Sequence, residues 1–329
     1  MSENAIEIDR YGGPEELVWR AVSRPQPGEH EVRIRTAYAA VNRADVEIRR
    51  GEWEILAPDP FPYTPGLEVV GVVEAVGGAV TSVAPGERVI TMMQHLGGIW
   101  GERPGGYGEY VVVAADTLAT IPDEVDLELI AALGLVAVTA SAGLRRLALT
   151  PGARVVVHGA SGGVGSAAVS MAAAAGASVI AVLPRAGKDD YVRALGASEV
   201  VHLDTTSLLD ALGPRSVDAV LETTGARTFA GSTAVLRRGG RLCLVGALTG
   251  ADLTLSAWDL IQDLVLTGWS SENLDGDGLR AAIAAIVDAV RGAGLRAPAV
   301  ERFAMADAAA AHRAMETGAL AGRALLVAP

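Results

Sequence analysis

Val155-Val156-Val157-His158-Gly159-Ala160-Ser161-Gly162-Gly163-Val164-Gly165 is the stretch whose reading decides the fold. Three β-branched residues in a row read as a buried strand, because a parallel sheet is covered on both faces and its strands need not alternate. The glycines behind them let the backbone turn tightly and approach a ligand, since no Cβ stands in the way. Residues 166–175 then read as a helix stopped by Gly176, and Ser178–Leu183 as a second strand. Strand, glycine turn and helix start bring unpaired amides and the positive end of the helix dipole to one point, which suits a pyrophosphate. The complete strand–turn–helix–strand context separates this motif from a bare glycine turn. Residues 155–184 contain no Asp, Glu, Lys or Arg. Glycines interrupt the run and Ala dominates it, so it reads as two strands around a buried helix rather than a membrane span.

Working outward, strand signals recur at residues 199–203, 217–221, 241–245 and 264–269, with helical stretches such as Asp189–Leu195 and 228–236 among them. That alternation predicts a parallel, doubly wound sheet. Upstream, residues 4–121 look β-rich, with short apolar runs at 32–35, 67–76, 89–92 and 110–113. Pro25-Gln26-Pro27-Gly28, Pro65-Gly66 and Pro85-Gly86 punctuate them as turns. A compact β-barrel is the economical reading, followed by a change to helical period over residues 126–147. Between Met93 and Tyr107 lies a glycine-rich loop that serves either as a pocket wall or as a plain surface connection. After residue 271 come a helix (278–291), a strand (300–303), a helix (305–317) and a last strand (324–327).

Composition narrows the class. Of 329 residues 50% are hydrophobic and 20% charged, which suits globular domains with substantial cores. A formal net charge of −12 argues against a nucleic-acid partner. The single cysteine, Cys243, rules out an intrachain disulfide and fits a reducing compartment. The opening Met1-Ser2-Glu3-Asn4 carries no export pattern, so cytoplasmic residence without a membrane partner is expected.

The second strand of the nucleotide motif ends Ala181-Val182-Leu183-Pro184-Arg185. An NAD site usually places an acidic residue there for the ribose 2′-hydroxyl, and here Leu183 stands near that position. Arg185 and Lys188 follow, and two cations suit the 2′-phosphate of NADPH, with Tyr191 adding a hydroxyl or a stacking face. The plainer alternative makes both cations solvated charges at a helix start.

The chain resembles the medium-chain dehydrogenase/reductase superfamily over nearly its whole length, and most closely the zinc-free quinone oxidoreductase (zeta-crystallin-like) branch. The residues that carry the match are Val41-Asn42-Arg43-Ala44-Asp45 followed by Arg49-Arg50-Gly51; Pro65-Gly66-Leu67-Glu68; Gly86-Glu87-Arg88-Val89; Gly106-Tyr107-Gly108-Glu109-Tyr110; and the Ser161–Gly165 turn. The resemblance implies a GroES-like bent β-barrel catalytic domain (residues 1–125 and 271–329). It also implies a Rossmann-type NADPH-binding domain (126–270). It implies hydride transfer from NADPH to a quinone or an α,β-unsaturated carbonyl, with an enoyl-thioester reductase or a low-turnover NADPH-binding sensor or structural homologue as alternatives.

By the same resemblance the turn residues Ser161, Gly162, Gly163 and Val164 bind the cofactor, and Thr223, Gly246, Ala247 and Leu248 lie along the nicotinamide ribose. Asn42 and Thr139 lie near the carboxamide. A tyrosine that touches the 2′-phosphate in many quinone oxidoreductases is matched here by Leu203. Asn42, Asp45 and Tyr63 are the catalytic candidates, with Glu47, Trp53, His95 and Trp100 around the expected cleft. Glu47 and Trp53 replace residues that are often tyrosine in the family; Trp53, Tyr63 and Trp100 either form an aromatic wall or fill core. A zinc site needs several Cys, His or carboxylate ligands. Where zinc-dependent relatives carry Cys and His, this chain has Asn42 and Leu67, so no metal is expected. Leu264-Val265-Leu266-Thr267-Gly268-Trp269 reads as an apolar edge strand, and relatives pair that edge in a homodimer.

Overall fold

The structure is a computed structural model that describes residues 2–93, 96–98, 101, 103–292 and 294–329. In chain order it begins with strands β1 (Ser2–Glu7), β2 (Val18–Ser23) and β3 (Glu31–Ala40), then helix α1 (Arg43–Arg50). Strands β4 (Glu68–Val76), β5 (Arg88–Met92), β6 (Tyr110–Ala114) and β7 (Ala119–Thr120) precede helix α2 (Leu127–Leu147). Next come β8 (Arg154–His158), α3 (Gly163–Ala174), β9 (Ser178–Leu183), α4 (Asp189–Leu195), β10 (Glu199–His202), α5 (Leu208–Leu212), β11 (Val217–Glu222) and α6 (Ala226–Val235). The chain continues through β12 (Leu236–Leu244), α7 (Ala257–Leu260), β13 (Val265–Gly268), α8 (Gly276–Arg291), β14 (Val300–Ala304), α9 (Ala308–Glu316) and β15 (Arg323–Val327).

Two compact units result. The first comprises Met1–Leu135, Ser271–Val287 and Ala299–Pro329; the second comprises Val136–Ser270 and Asp288–Pro298. The boundary falls inside α2, next to Gly134, rather than ahead of that helix. Gly134 leaves helical geometry, with φ 12° and ψ −123°. A Cβ there would stand 1.6 Å from Glu68 Oε1, so only glycine lets the carboxylate enter the break. Helix α2 is long and apolar enough by composition to cross a membrane, yet 72% of its most apolar window is buried in the fold.

In the first unit the strands run β14-β15-β3-β4-β5-β7, with β6 pairing the other side of β3. Register shifts in the β3–β4 ladder mark the bends that curl this sheet. Val32, Ile34, Val69, Val73, Val89 and Val111 fill its interior. The C-terminal β15 pairs antiparallel with β3, returning the chain's end to this sheet. In the second unit six strands follow the order β10-β9-β8-β11-β12-β13, and their pairings are parallel throughout. Val156, Ile180, Val220, Phe229 and Leu242 form the core on its covered faces. The order reverses at β8, and such a switch point is where open parallel sheets bind ligands.

Periodicity located most of these elements, but α1 and the β1–β2 pair were not read as such. Helix α1 is short and mostly charged; Asn42 starts it, its backbone N–H donating to Asp45 Oδ2 at 2.8 Å. On β1, Glu3 is buried with Arg24 Nε 3.4 Å from its Oε2. Burial pushes the Glu3 carboxyl from its ordinary 4.5 up to about 7, with Arg24 opposing and Glu109 adding to the rise.

A folded-state pKa above the unfolded one favours the protonated protein. The stability it lends is therefore complete below about pH 4.5 and is lost as pH rises through about 7. Thermal melts of the natural chain and Glu3→Gln should match most closely near pH 5, with the variant gaining several degrees in relative Tm by pH 8. A Tm difference that is flat across this range would show that Glu3 does not titrate this way.

Candidate active site

In the second unit the turn after β8 meets the start of α3. Ser166 N donates to Gly162 O at 2.8 Å, which closes the first helical turn. The amides of Gly163, Val164 and Gly165 ahead of it have no acceptor within the helix. A Cβ on Gly165 would lie 2.2 Å from Gly159 O and 2.7 Å from Ala160 Cα, so the helix starts in direct contact with the strand end. Gly162 is exposed at the mouth of this turn, while Ser161 is buried. Tyr191 on α4 donates its hydroxyl to Ser166 Oγ at 2.9 Å, tying α4 to the first turn of α3. An amide-lined helix start with small residues around it fits a pyrophosphate.

At the end of β9, Leu183 is buried and Arg185 exposed. Lys188 is half-buried, and its ammonium is pulled below the ordinary range first by burial and then by the Arg185 charge. Two cations thus share the place beyond β9, an arrangement that an added dianion relieves.

The ends of β11 and β12 are laced together. Val245 N donates to Glu222 O at 2.8 Å, Thr249 N to Thr224 O at 2.7 Å, and Ala226 N to Gly250 O at 3.1 Å. Gly246 has no room for a side chain, because a Cβ would stand 2.7 Å from Thr223 O. Thr223, Gly246 and Ala247 therefore belong to one hydrogen-bonded surface, with Leu248 half exposed beside them. Thr139 is buried on the later segment of α2.

Underneath these loops lies a cluster that sequence reasoning missed. Ser232 Oγ donates to Glu222 Oε2 at 2.8 Å and stands 2.9 Å from His158 Nε2. Glu222 Oε1 accepts from Thr224 N at 2.8 Å and from Gly225 N at 3.2 Å. Serine, histidine and glutamate in this order suggest a hydrolase triad, but none is more than 1% exposed. Burial holds the His158 imidazole below its usual range despite the nearby Glu222. The three side chains brace the Thr223–Gly225 backbone. No local motif announces them; only the parallel order brings β8, β11 and α6 together.

The first unit carries a second buried network. Arg323 Nη2 donates to Glu68 Oε2 at 2.6 Å and its Nη1 to Asn42 Oδ1 at 3.0 Å. Asn42 Nδ2 donates to Ala40 O and Glu68 Oε2, both at 3.2 Å. Glu68 Oε1 takes the Leu135 amide at 2.8 Å, just past the break in α2. Asp45 accepts from the Asn42 and Leu67 amides at 2.8 and 3.0 Å. Burial pushes its carboxyl up to about 7 against those bonds. Tyr107, which also bonds Asp45, lies 3.1 Å from His312 Nε2, and His312 Nδ1 lies 3.4 Å from Arg49. Burial, reinforced by Arg49, lowers His312 to about 3, so the ring is neutral between its two neighbours.

The catalytic candidates Asp45 and Tyr63 are both engaged with backbone in this structure. Asp45 is fully buried and spends its oxygens holding the start of α1 and the Leu67 amide. Tyr63 is buried, and its hydroxyl donates to the Gly97 carbonyl, with Gly98 O at 3.4 Å. Burial raises that phenol far above its usual value. Both side chains position backbone; neither presents a proton at a surface. Glu47 is held by Arg43 at 3.2 Å along α1, and Trp53 is 37% exposed just after it. His95 and Trp100 lie outside the described residues. Two open hollows of about 570 and 590 Å³ in the first unit, one beside Arg35 and Tyr38 and the other beside His30 and Val80, contain none of these residues.

The first unit matches the family model of the alcohol dehydrogenase GroES-like domain over residues 28–123, and the second matches the zinc-binding dehydrogenase model over residues 163–268. A quinone oxidoreductase from Sus scrofa is 34% identical over 250 residues, 74% of this chain and 73% of that protein. The chain belongs to the quinone oxidoreductase family of medium-chain dehydrogenases/reductases. A 2-haloacrylate reductase from Burkholderia sp is 29% identical over 330 residues, covering 94% of this chain and 95% of its own. The crystal structure of Escherichia coli quinone oxidoreductase, complexed with NADPH, superposes with a TM-score of 0.86 at 26% identity, covering 98% of this chain and 99% of that one.

One matching family model is named for zinc, and the donors here do not suit it. Leu67 is apolar, the Asn42 amide is bound to Arg323 and Glu68, and both Glu68 oxygens are taken. Cys243 is the only cysteine of the chain and is buried. Among the described residues no three His, Cys, Asp or Glu side chains are grouped so as to hold a metal ion. Removing the Arg323 guanidinium strands the Glu68 charge instead. Arg323→Met should lower unfolding free energy by about 3–5 kcal/mol in denaturant titration, and Glu68→Gln/Arg323→Met should recover much of that loss.

Proposed function

We propose that this quinone oxidoreductase family member is an NADPH-dependent reductase that delivers hydride, without a metal, to an electron-poor carbonyl-conjugated acceptor: a quinone or an α,β-unsaturated carbonyl compound. The observation that carries this reading is the pairing of the amide-lined start of α3 with Arg185 and Lys188 beyond β9, where the buried Leu183 offers no carboxylate to a ribose hydroxyl. The bound nicotinamide supplies the hydride, and the protein's share is binding, orientation and exclusion of water. Ser161, Gly162, Gly163 and Val164 hold the pyrophosphate by backbone amides. Arg185 and Lys188 take the 2′-phosphate, and Tyr191, bonded to Ser166, ties α4 to the pyrophosphate turn beside them. Thr223, Gly246, Ala247 and Leu248 shape the nicotinamide ribose site, with Thr139 toward the carboxamide.

An enone or acrylate acceptor stands beside a quinone, because near full-length likeness extends both to a reductase named for 2-haloacrylate and to a quinone oxidoreductase. Hydride at the β-carbon then requires a proton at the α-carbon; Asp45 and Tyr63 are engaged with backbone, which leaves solvent or His95 as its source. NADPH and NADH oxidation should be followed against a panel of quinones, enones, 2-haloacrylate and enoyl thioesters. Arg185→Ala and Lys188→Ala should each raise the KM for NADPH roughly tenfold or more and leave that for NADH nearly unchanged. Turnover that favours NADH would overturn the assignment, and tight NADPH binding with no acceptor turned over would support the sensor alternative.

The same reading includes a homodimer formed through β13, the last strand of its sheet. Val265 on that edge is 39% exposed, and Trp258 and Ile261 near it are 77% and 63% exposed. An uncovered apolar edge of this kind favours pairing with a second copy. Light scattering should give a dimer mass for the natural chain and a monomer mass for Val265→Lys/Trp258→Glu; a monomer for the natural chain would refute it. Cytoplasmic residence fits the lone, buried Cys243.

A further inference from the structure

Beside the two cations beyond β9 stands a close histidine–carboxylate contact that the NADPH reading does not use. His202 ends β10, and the sheet register sets it opposite Leu183, the last residue of β9. Leu203 N donates to Leu183 O at 3.0 Å, so the two strand ends stay in step as they leave the sheet. The segment carrying Arg185 and Lys188 follows directly and leads into Asp189, the first residue of α4. There His202 Nε2 lies 2.9 Å from Asp189 Oδ1, while Asp189 Oδ2 accepts from Gly187 N at 3.2 Å. Desolvation works against the Asp189 charge, but the Gly187 amide and His202 more than offset it and hold the carboxyl below its ordinary value.

A carboxylate in this place has a definite chemical preference. Next to a ribose 2′-hydroxyl it accepts a hydrogen bond and favours the unphosphorylated dinucleotide. Next to a 2′-phosphate it repels. The chain therefore holds both kinds of determinant within one short segment: Arg185 and Lys188 for a phosphate, and Asp189 against it. Asp190, the next residue of α4, is exposed, and Tyr191 beyond it bonds Ser166 on α3.

Resting on the NADPH reading, we propose that His202 is a specificity-determining residue: it holds the Asp189 carboxylate against the end of β10, so that the site takes a 2′-phosphorylated dinucleotide. The pair acts as a latch. With the imidazole in place Asp189 is paired; without it Asp189 competes with the phosphate for the same two cations and offers itself to a 2′-hydroxyl.

The test is a set of dissociation constants for NADPH, NADH and the fragments 2′,5′-ADP and 5′-AMP, measured by fluorescence and calorimetric titration. His202→Ala should weaken NADPH and 2′,5′-ADP by about tenfold while leaving 5′-AMP unchanged and NADH unchanged or tighter. Asp189→Asn placed in that background should restore the NADPH/NADH ratio to within about twofold of the natural chain. A His202→Ala ratio equal to that of the natural chain would overturn the proposal. So would a double variant that stays as weak as the single one, since the loss would then come from β10 itself. Equal affinity of the natural chain for 2′,5′-ADP and 5′-AMP would instead sink the underlying NADPH reading, before any variant is compared.

Discussion

A carboxylate without access to water must be surrounded by donors, and Glu68 meets that demand from three directions. The Arg323 guanidinium comes from the C-terminal strand, the Asn42 amide from the start of α1, and the Leu135 N–H from the break in α2. Losing any one of them leaves a buried charge short of a partner, which costs far more than a surface contact. The requirement explains features that look unrelated in the chain. Gly134 abandons helical geometry because the carboxylate occupies the space of its Cβ. The last strand returns to β3 with an arginine at its first position, placed to reach Glu68. Asn42 and Asp45 are drawn into the same network, so residues that resemble catalytic positions serve first to hold the sheet and α1 together.

The second unit solves the opposite problem. Its ligand site is made of backbone, and backbone needs support that leaves its N–H groups free to face outward. Contact of Gly165 with the β8 end supplies that support on one side. The Glu222–Ser232–His158 cluster supplies it on the other, with one carboxylate receiving two consecutive amides after β11. Because burial keeps His158 uncharged, the cluster adds no net field of its own beyond the glutamate it steadies. Charge is supplied instead by Arg185 and Lys188, beyond the end of β9. The division is economical in physical terms: a dry, braced interior fixes geometry, and solvent-near cations select the ligand.

Membership of the quinone oxidoreductase family agrees with this division of labour. Hydride transfer between conjugated systems depends on distance and orientation, and demands little acid–base machinery from the protein. The absence of a competent proton donor at Asp45 or Tyr63 is therefore compatible with reduction.

Much of this was legible in the chain before any coordinates. Residues 155–183 state a βαβ unit outright, because valine runs, glycine spacing and an alanine helix are local signals with local causes. The alternation that follows specifies a parallel sheet, and Leu183 with Arg185 and Lys188 is the local pattern on which the proposed 2′-phosphate site rests. Helix α1 was missed because its eight residues are mostly charged, so hydrophobic period is silent there. His158 and Glu222, Arg323 and Glu68, and His202 and Asp189 were missed for another reason. The pairs are separated by 64, 255 and 13 residues respectively, and no spacing rule connects them. The sequence by itself determined the element types, the nucleotide turn and its cations, since these follow from propensity and pattern within a dozen residues. Only the tertiary structure decided which polar side chains are buried, which of them face one another, and hence that Asp45 and Tyr63 hold backbone, because burial and pairing are properties of the packed chain.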